Sequence, residues 1–163
     1  MVFTDGACKR QEHESLRRAG CGWWWSDGNA RFFYFALPGL YQSNQRAELL
    51  AAVRVCESDP RSLDIRSDSK FVVDGCSRIA RGAPAQAHSD VWERIAPFIL
   101  SGRVTVTKVL GHAKWRDVHS GRETLENKLG NGKADELAVA GAASHEHHVF
   151  FYKSYHAPPA IKQ

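Results

Sequence analysis

Along this chain, apolar positions alternate with polar ones in some stretches and recur every three to four residues in others, and the change of period marks the elements. Val2 and Phe3 open a run of β-formers that leads through Thr4 and Asp5 into Gly6, which predicts a strand over residues 1–5 closing at a turn. A charged stretch, residues 9–18, follows. Residues 20–25 and 31–36 predict two more strands hinged at Ser26-Asp27-Gly28-Asn29, so the first three strands form an antiparallel meander.

After Pro38-Gly39 the period changes. Leu49, Ala52, Val53 and Cys56 recur at i, i+3, i+4 and i+7 behind Ser43 or Asn44 as N-cap, which predicts a helix over 44–57. Leu63 and Ile65 alternate with Asp64 and Arg66 in a short strand closing at Asp68, and Val72, Gly75, Cys76 and Ile79 give a second helical stripe. Residues 82–87 form a loop. Trp92, Ile95, Ala96 and Ile99 mark a third helix, in which Pro97 is expected to cause a kink or a break. A β-branched strand over 103–110 and a last helix carrying Ala134, Leu137, Ala138 and Gly141 complete the order β-β-β-α-β-α-α-β-α. This is an α/β pattern. Three hairpin-like strands followed by two reached through helices call for a five-stranded mixed sheet, the first three antiparallel and the last two parallel, flanked by helices. Residues 1–143 form the domain; residues 144–163, with His145, His147, His148 and Pro158-Pro159, lie outside the pattern as a tail or linker.

Composition narrows the class without deciding it. The 163 residues are 43% hydrophobic, enough for one core, and the net charge of +4 tilts toward polyanionic partners. Cys8, Cys21, Cys56 and Cys76 have no CxxC spacing, which speaks against a zinc site or a disulfide framework and fits reduced thiols. No membrane span or secretory signal is visible, so an intracellular protein of cytoplasm or nucleus, with no membrane partner, is expected. No heptad suggests an oligomer, and a monomer is assumed. In Trp23-Trp24-Trp25, alternation along a strand sends Trp23 and Trp25 to one face and Trp24 to the other, which favours core packing over a base-stacking track.

Four carboxylates sit where an element begins or ends: Asp5 at the close of the first strand, Glu48 in the first turn of the first helix, Asp68 at the end of the fourth strand and Asp135 in the first turns of the last helix. Singly each has an ordinary reading as a turn residue, surface charge or cap. Jointly they suggest convergence, because functional groups gather outside the carboxyl ends of parallel strands. Clustered carboxylates repel and raise one another's pKa unless a cation joins them, and a hard oxygen set suits Mg²⁺. Four such groups accommodate two ions, an arrangement that performs phosphodiester hydrolysis.

At these residues the chain resembles the type 1 ribonuclease H family, its retroelement-associated members included, from Met1 to about Ala143. The ordered matches are Val2-Phe3-Thr4-Asp5-Gly6-Ala7-Cys8, Ala19-Gly20-Cys21-Gly22, Ser43-Asn44-Gln45-Arg46-Ala47-Glu48-Leu49-Leu50-Ala51-Ala52, Ile65-Arg66-Ser67-Asp68-Ser69-Lys70-Phe71-Val72, Val109-Leu110-Gly111-His112-Ala113 and Gly130-Asn131-Gly132-Lys133-Ala134-Asp135-Glu136-Leu137-Ala138. The resemblance implies the ribonuclease H-like fold and a metal-dependent endonuclease that cuts the RNA strand of RNA/DNA hybrids. It implies that Asp5, Glu48, Asp68 and Asp135 bind two Mg²⁺ ions, with Mn²⁺ as substitute. His112 is implied to assist proton transfer or product release, with a plain loop histidine as the alternative. Cys8, Ser43, Asn44, Gln45, Arg46, Lys70 and Asn131 are implied to contact substrate, where amides suit the minor-groove edges and 2′-hydroxyls of the hybrid.

Three departures stand out. Ile79 occupies the place of an aromatic residue that lines the family's DNA-strand channel. The basic protrusion of some members is missing, because Ser77–Gly82 leads quickly to Ser89. The interval from His112 to Asp135 is long, and its Lys114-Trp115-Arg116 and residues 119–122 add basic and aromatic groups that either help hold nucleic acid or form a mobile insertion. These departures, with the abrupt start and the tail, support a second expectation: a domain of a larger retroelement polyprotein, beside a reverse transcriptase, with weak or neighbour-dependent activity. A strand-transfer enzyme of related fold ranks last.

Overall fold

The meander is longer than the apolar pattern predicts. In the computed structural model, which describes residues 1–27, 31–84 and 87–146, strand β1 (Val2–Lys9) pairs antiparallel with β2 (Arg18–Trp25), and β2 with β3 (Phe32–Ala36). β1 does not close at Gly6. Asp5 therefore lies in mid-strand, opposite Gly22, rather than at a strand end. The physical reason is helix α1 (Asn44–Ser58), which crosses β1 so closely that a Cβ at Gly6 would stand 2.3 Å from the Glu48 backbone nitrogen and 2.7 Å from the Ala47 carbonyl carbon. Glycine here supplies room for another backbone, one of the two meanings it has inside a strand.

β4 (Leu63–Ser67) adds parallel to β1, and β5 (Val104–Lys108) adds parallel to β4, giving the order β3-β2-β1-β4-β5. The expected mixed sheet is thus present. Helices α2 (Lys70–Ala80) and α3 (Ser89–Leu100) lie between β4 and β5 in the chain, and Pro97 sits inside a single continuous α3. Pro97 forgoes the bond its nitrogen would make to the Glu93 carbonyl, but only three residues of helix follow it, so little chain is left to be redirected.

Two further elements differ from expectation. A short helix, α4 (Trp115–His119), follows the histidine loop, and α5 (Leu125–Ala143) begins well before its predicted apolar stripe. Thr124 caps α5 by accepting from the Asn127 N–H at 3.1 Å. Asp135 therefore lies mid-helix instead of in the first turns. The buried face of α5 is built from Gly130, Asn131, Ala134, Ala138, Gly141 and Ala142, small or polar residues that a search for large apolar side chains passes over. Glu48 likewise stands just past the first turn of α1.

The core fills both faces of the sheet. Trp23 and Trp25 are buried, Trp24 is half-buried, and the Arg31 guanidinium lies 4.4 Å from the Trp25 ring centroid. All four cysteines are free. After α5, Ser144–Glu146 form a 3-10 turn in which His145 Nε2 lies 2.8 Å from the Ala19 carbonyl, so the first residues past 143 rest on β2. Gly28 and Asn29 of the expected hinge, and His147, His148 and Pro158-Pro159 of the expected tail, lie outside the described residues. Among the described residues no helix is long and apolar enough to cross a membrane.

Gly6→Ala is expected to lower the melting temperature, because the added methyl meets backbone that cannot rotate away. Overpacking of about 1–3 kcal/mol corresponds to roughly 2–4 °C per kcal/mol in a domain of this size. A thermal melt followed by circular dichroism checks it, and an unchanged midpoint would show that α1 can lift from the sheet at little cost.

Candidate active site

Four elements deliver the acids. β1 presents Asp5, which is 6% exposed; α1 presents Glu48 across the Gly6 contact; Asp68 follows β4 directly; and α5 presents Asp135. Their charges act on one centre. Burial, then the neighbouring charge of Asp68 and those of Asp135 and Glu48, push the Asp5 carboxyl up to about 8, against a 2.7 Å hydrogen bond from the Gly6 N–H. Burial also raises Glu48, with Asp68 adding to the effect and the Ser69 hydroxyl working against it.

Polar neighbours hold these carboxylates in place. Glu48 accepts from the Asn44 amide at 2.6 Å on Oε1 and from the Ser69 hydroxyl at 2.5 Å on Oε2. Ser69 also caps α2, accepting from the Val72 N–H at 3.2 Å, so one hydroxyl ties the start of α2 to the acid of α1. Asn131, 3% exposed, donates to Asp68 Oδ2 at 3.0 Å, and its own buried Oδ1 has no hydrogen-bond partner.

His112 is 85% exposed, with Nδ1 4.0 Å from Asp135 Oδ2. Its backbone takes φ 49°, a left-handed conformation uncommon outside glycine. Gly111, expected to supply the backbone freedom, serves differently: a Cβ there would come 2.8 Å from Asp68 Oδ2. The glycine clears space for the carboxylate, and the histidine itself carries the turn.

The seven residues implied to contact substrate stand in different surroundings. Asn131 and Asn44 bind the acids, as above. Ser43 caps α1, accepting from the Arg46 N–H at 3.2 Å, and Arg46 forms an ion pair with Asp90 of α3. Lys70 pairs with Asp74, Cys8 is half-buried, and Gln45 is exposed. Gln45 and Lys70 open onto a groove of about 660 Å³ shared with Phe71, Arg78, Arg81 and Trp92. That groove was not read from the sequence, although Phe71 stands within a matched segment. Ile79 is 8% exposed and packs in the core, so the groove's aromatic wall comes from Phe71 and Trp92.

The donor set is of a kind that suits hard divalent ions, being four carboxylates whose mutual repulsion a cation relieves. Among the described residues, no three His, Cys, Asp or Glu side chains form a ready cage for an ion. Both oxygens of Glu48 face internal hydrogen-bond donors, in keeping with a repelling set held apart by its neighbours.

The sequence profile of the RNase H family matches residues 1–143. The chain belongs to the ribonuclease H family. Ribonuclease H1 of Homo sapiens is 30% identical over 160 residues, covering 90% of this chain and 51% of that protein. Ribonuclease H of Jannaschia sp. (strain CCS1) is 31% identical over 162 residues, covering 88% of this chain and 90% of that protein. This ribonuclease H family member thus spans about half the length of its human relative and nearly all of its Jannaschia one. Among solved structures, the solution structure of the PFV RNase H domain superposes with a TM-score of 0.64 at 20% identity, covering 87% of this chain and 93% of that one, which shows the shared fold.

The raised Asp5 carboxyl makes a signed prediction. A folded-state value above the unfolded one means that the fold binds the proton more tightly, so stability from this group is lost as pH rises from about 4 toward 8. In metal-free buffer, Asp5→Asn is expected to raise the melting temperature at pH 8, by about 2–4 °C for each kcal/mol of repulsion relieved. Near pH 4 the gain should shrink toward zero, and a pH-independent difference would contradict the linkage.

Proposed function

We propose that this chain hydrolyses the RNA strand of RNA/DNA hybrids, with Asp5, Glu48, Asp68 and Asp135 holding two divalent ions, Mg²⁺ or Mn²⁺ in its place. The observation that carries this reading is the convergence of four carboxylates from β1, α1, the end of β4 and α5 on one electrostatic centre at Asp5. When bound, such ions activate a water and stabilise the departing oxygen of a phosphodiester.

The chain's own groups supply the rest. Asn44 and Ser69 fix the Glu48 carboxylate, and Asn131 fixes Asp68, so the acids keep their orientation before substrate arrives. Such preorganisation spares the cost of arranging them during reaction. His112, on an exposed loop beside Asp135, is placed to pass a proton to the leaving 3′ oxygen or to ease product away. Gln45, Lys70 and Arg78 along the α2 groove offer amide and cationic contacts to a hybrid's edge and backbone, and Asn131 stands against Asp68. Discrimination of the strand to be cut falls to its 2′-hydroxyls. Residues 1–143 constitute the nuclease domain in this reading, and 144–163 an appended segment.

One observation favours a variant of this reading. Only residues 81–88 connect α2 to α3, leaving no place for an additional basic helix, so hybrid affinity is modest in isolation or supplemented by a neighbouring domain, as in a retroelement reverse transcriptase polyprotein. Full activity of the isolated chain would remove the need for such a neighbour.

Labelled RNA/DNA hybrid, duplex DNA and duplex RNA offered side by side should give cleavage of the hybrid's RNA strand alone; equal cutting of all three, or of none, defeats the assignment. Asp68→Asn is expected to reduce cleavage by at least about a hundredfold while circular dichroism stays native, the scale of losing one preorganised electrostatic group. Millimolar Mg²⁺ should raise the wild-type melting temperature by mass action, and the same substitution should remove most of that gain.

A further inference from the structure

The stretch between His112 and α5 is built rather than loose. Asp117, 8% exposed, accepts from the Lys114 N–H at 2.8 Å and pairs with Arg122 at 3.1 Å. Glu123 accepts from the Leu110 N–H at 2.7 Å, the Thr124 N–H at 2.9 Å and the Asn127 amide at 2.8 Å, which fastens the stretch to the end of β5 and the start of α5. On this frame α4 holds Trp115 in solvent, 57% exposed, where it contributes little to the core. The Lys128 ammonium lies 5.2 Å from the Trp115 ring centroid, and the His119 ring sits 6.4 Å away, tilted by 31°.

The position of Lys128 fixes where this ring stands. Lys128, Asn131 and Asp135 fall at i, i+3 and i+7 of α5, one stripe of the helix, so the ring that meets Lys128 lies on the acid-bearing side. Seven residues of helix put it about 10 Å along α5 from Asp135. Around it Lys114 and Arg116 are exposed and make no ion pair among the described residues; Glu126 is the exposed acid nearby, while Asp117 and Glu123 are turned to internal donors. An exposed indole bordered by unpaired cations is the combination that holds an unpaired nucleic-acid base, whose face stacks while its phosphate is neutralised.

We infer that Trp115, with Lys114, Arg116 and Lys128, forms a stacking platform for the first unpaired base of a strand that leaves the hybrid beside the catalytic acids. The inference rests on the nuclease reading for where the hybrid lies. It assigns the platform a role in choosing hybrids that end in, or are flanked by, single strand.

Fluorescence anisotropy with divalent ions withheld, so that no strand is cut, compares a blunt hybrid with the same duplex carrying a short single-stranded extension on either strand and either end. At least one extension is expected to tighten binding by about tenfold, the scale of one base stacked on an aromatic ring. Trp115→Ala should bring the ratio of extended to blunt affinity close to one, and Trp115→Phe should keep most of it. No gain from any extension in the wild type, a gain that survives Trp115→Ala, or a parallel loss on blunt and extended hybrids each overturns the platform. Should the wild type bind extended hybrids better yet cut none when Mg²⁺ is restored, the nuclease reading fails while the platform stands.

Discussion

Everything about this site depends on how closely α1 can approach β1. A strand and a helix ordinarily meet through layers of side chains, which would hold Glu48 well away from Asp5. At Gly6 that layer is missing and backbone touches backbone, with room for nothing larger than hydrogen. Two acids from different elements are thereby pressed toward one centre. On the opposite face α5 repeats the device, its backbone at Leu137–Ala138 and Gly141–Ala142 resting on Gly22 and Gly20 of β2. The sheet is clamped from both sides at the strands that carry or pair with the first acid.

That closeness sets stability against function. An acid that would be charged in water is held in a buried place among three like charges, and burial first, then those charges, drives its carboxyl far up. Hydrogen bonds from Gly6, Asn44, Ser69 and Asn131 offset part of the penalty without neutralising it. Like charges gathered in this way cost the fold free energy, and whatever lowers their mutual repulsion, a proton or a cation, stabilises it.

The mixed sheet was legible in the sequence through apolar–polar alternation in Leu63–Ser67, the β-branched run of Val104–Lys108 and the i, i+3, i+4, i+7 apolar spacing in α1, and the four acids were singled out by their places on or beside elements read in this way. Boundaries were less legible where a tertiary contact outweighed local propensity. Gly6 looked like a turn, since glycine in a short sequence window carries the same signal whether it bends the chain or admits a neighbour. The start of α5 is not legible because the residues it buries there are Asn127, Gly130 and Asn131, and α4 because five residues show too little periodicity. His112 was found through its neighbours in sequence, but its left-handed backbone and the spatial duty of Gly111 belong to the folded state alone.

The carboxylate of Glu123 joins the two ends of the stretch that separates β5 from α5. With its mouth clasped in this way, the stretch beyond His112 resembles a cassette, anchored at the start of α5 about three helical turns before Asp135. Residues 113–122 can therefore be replaced as a unit, changing what this edge of the surface presents while Gly111, His112 and the acid-bearing helix keep their places.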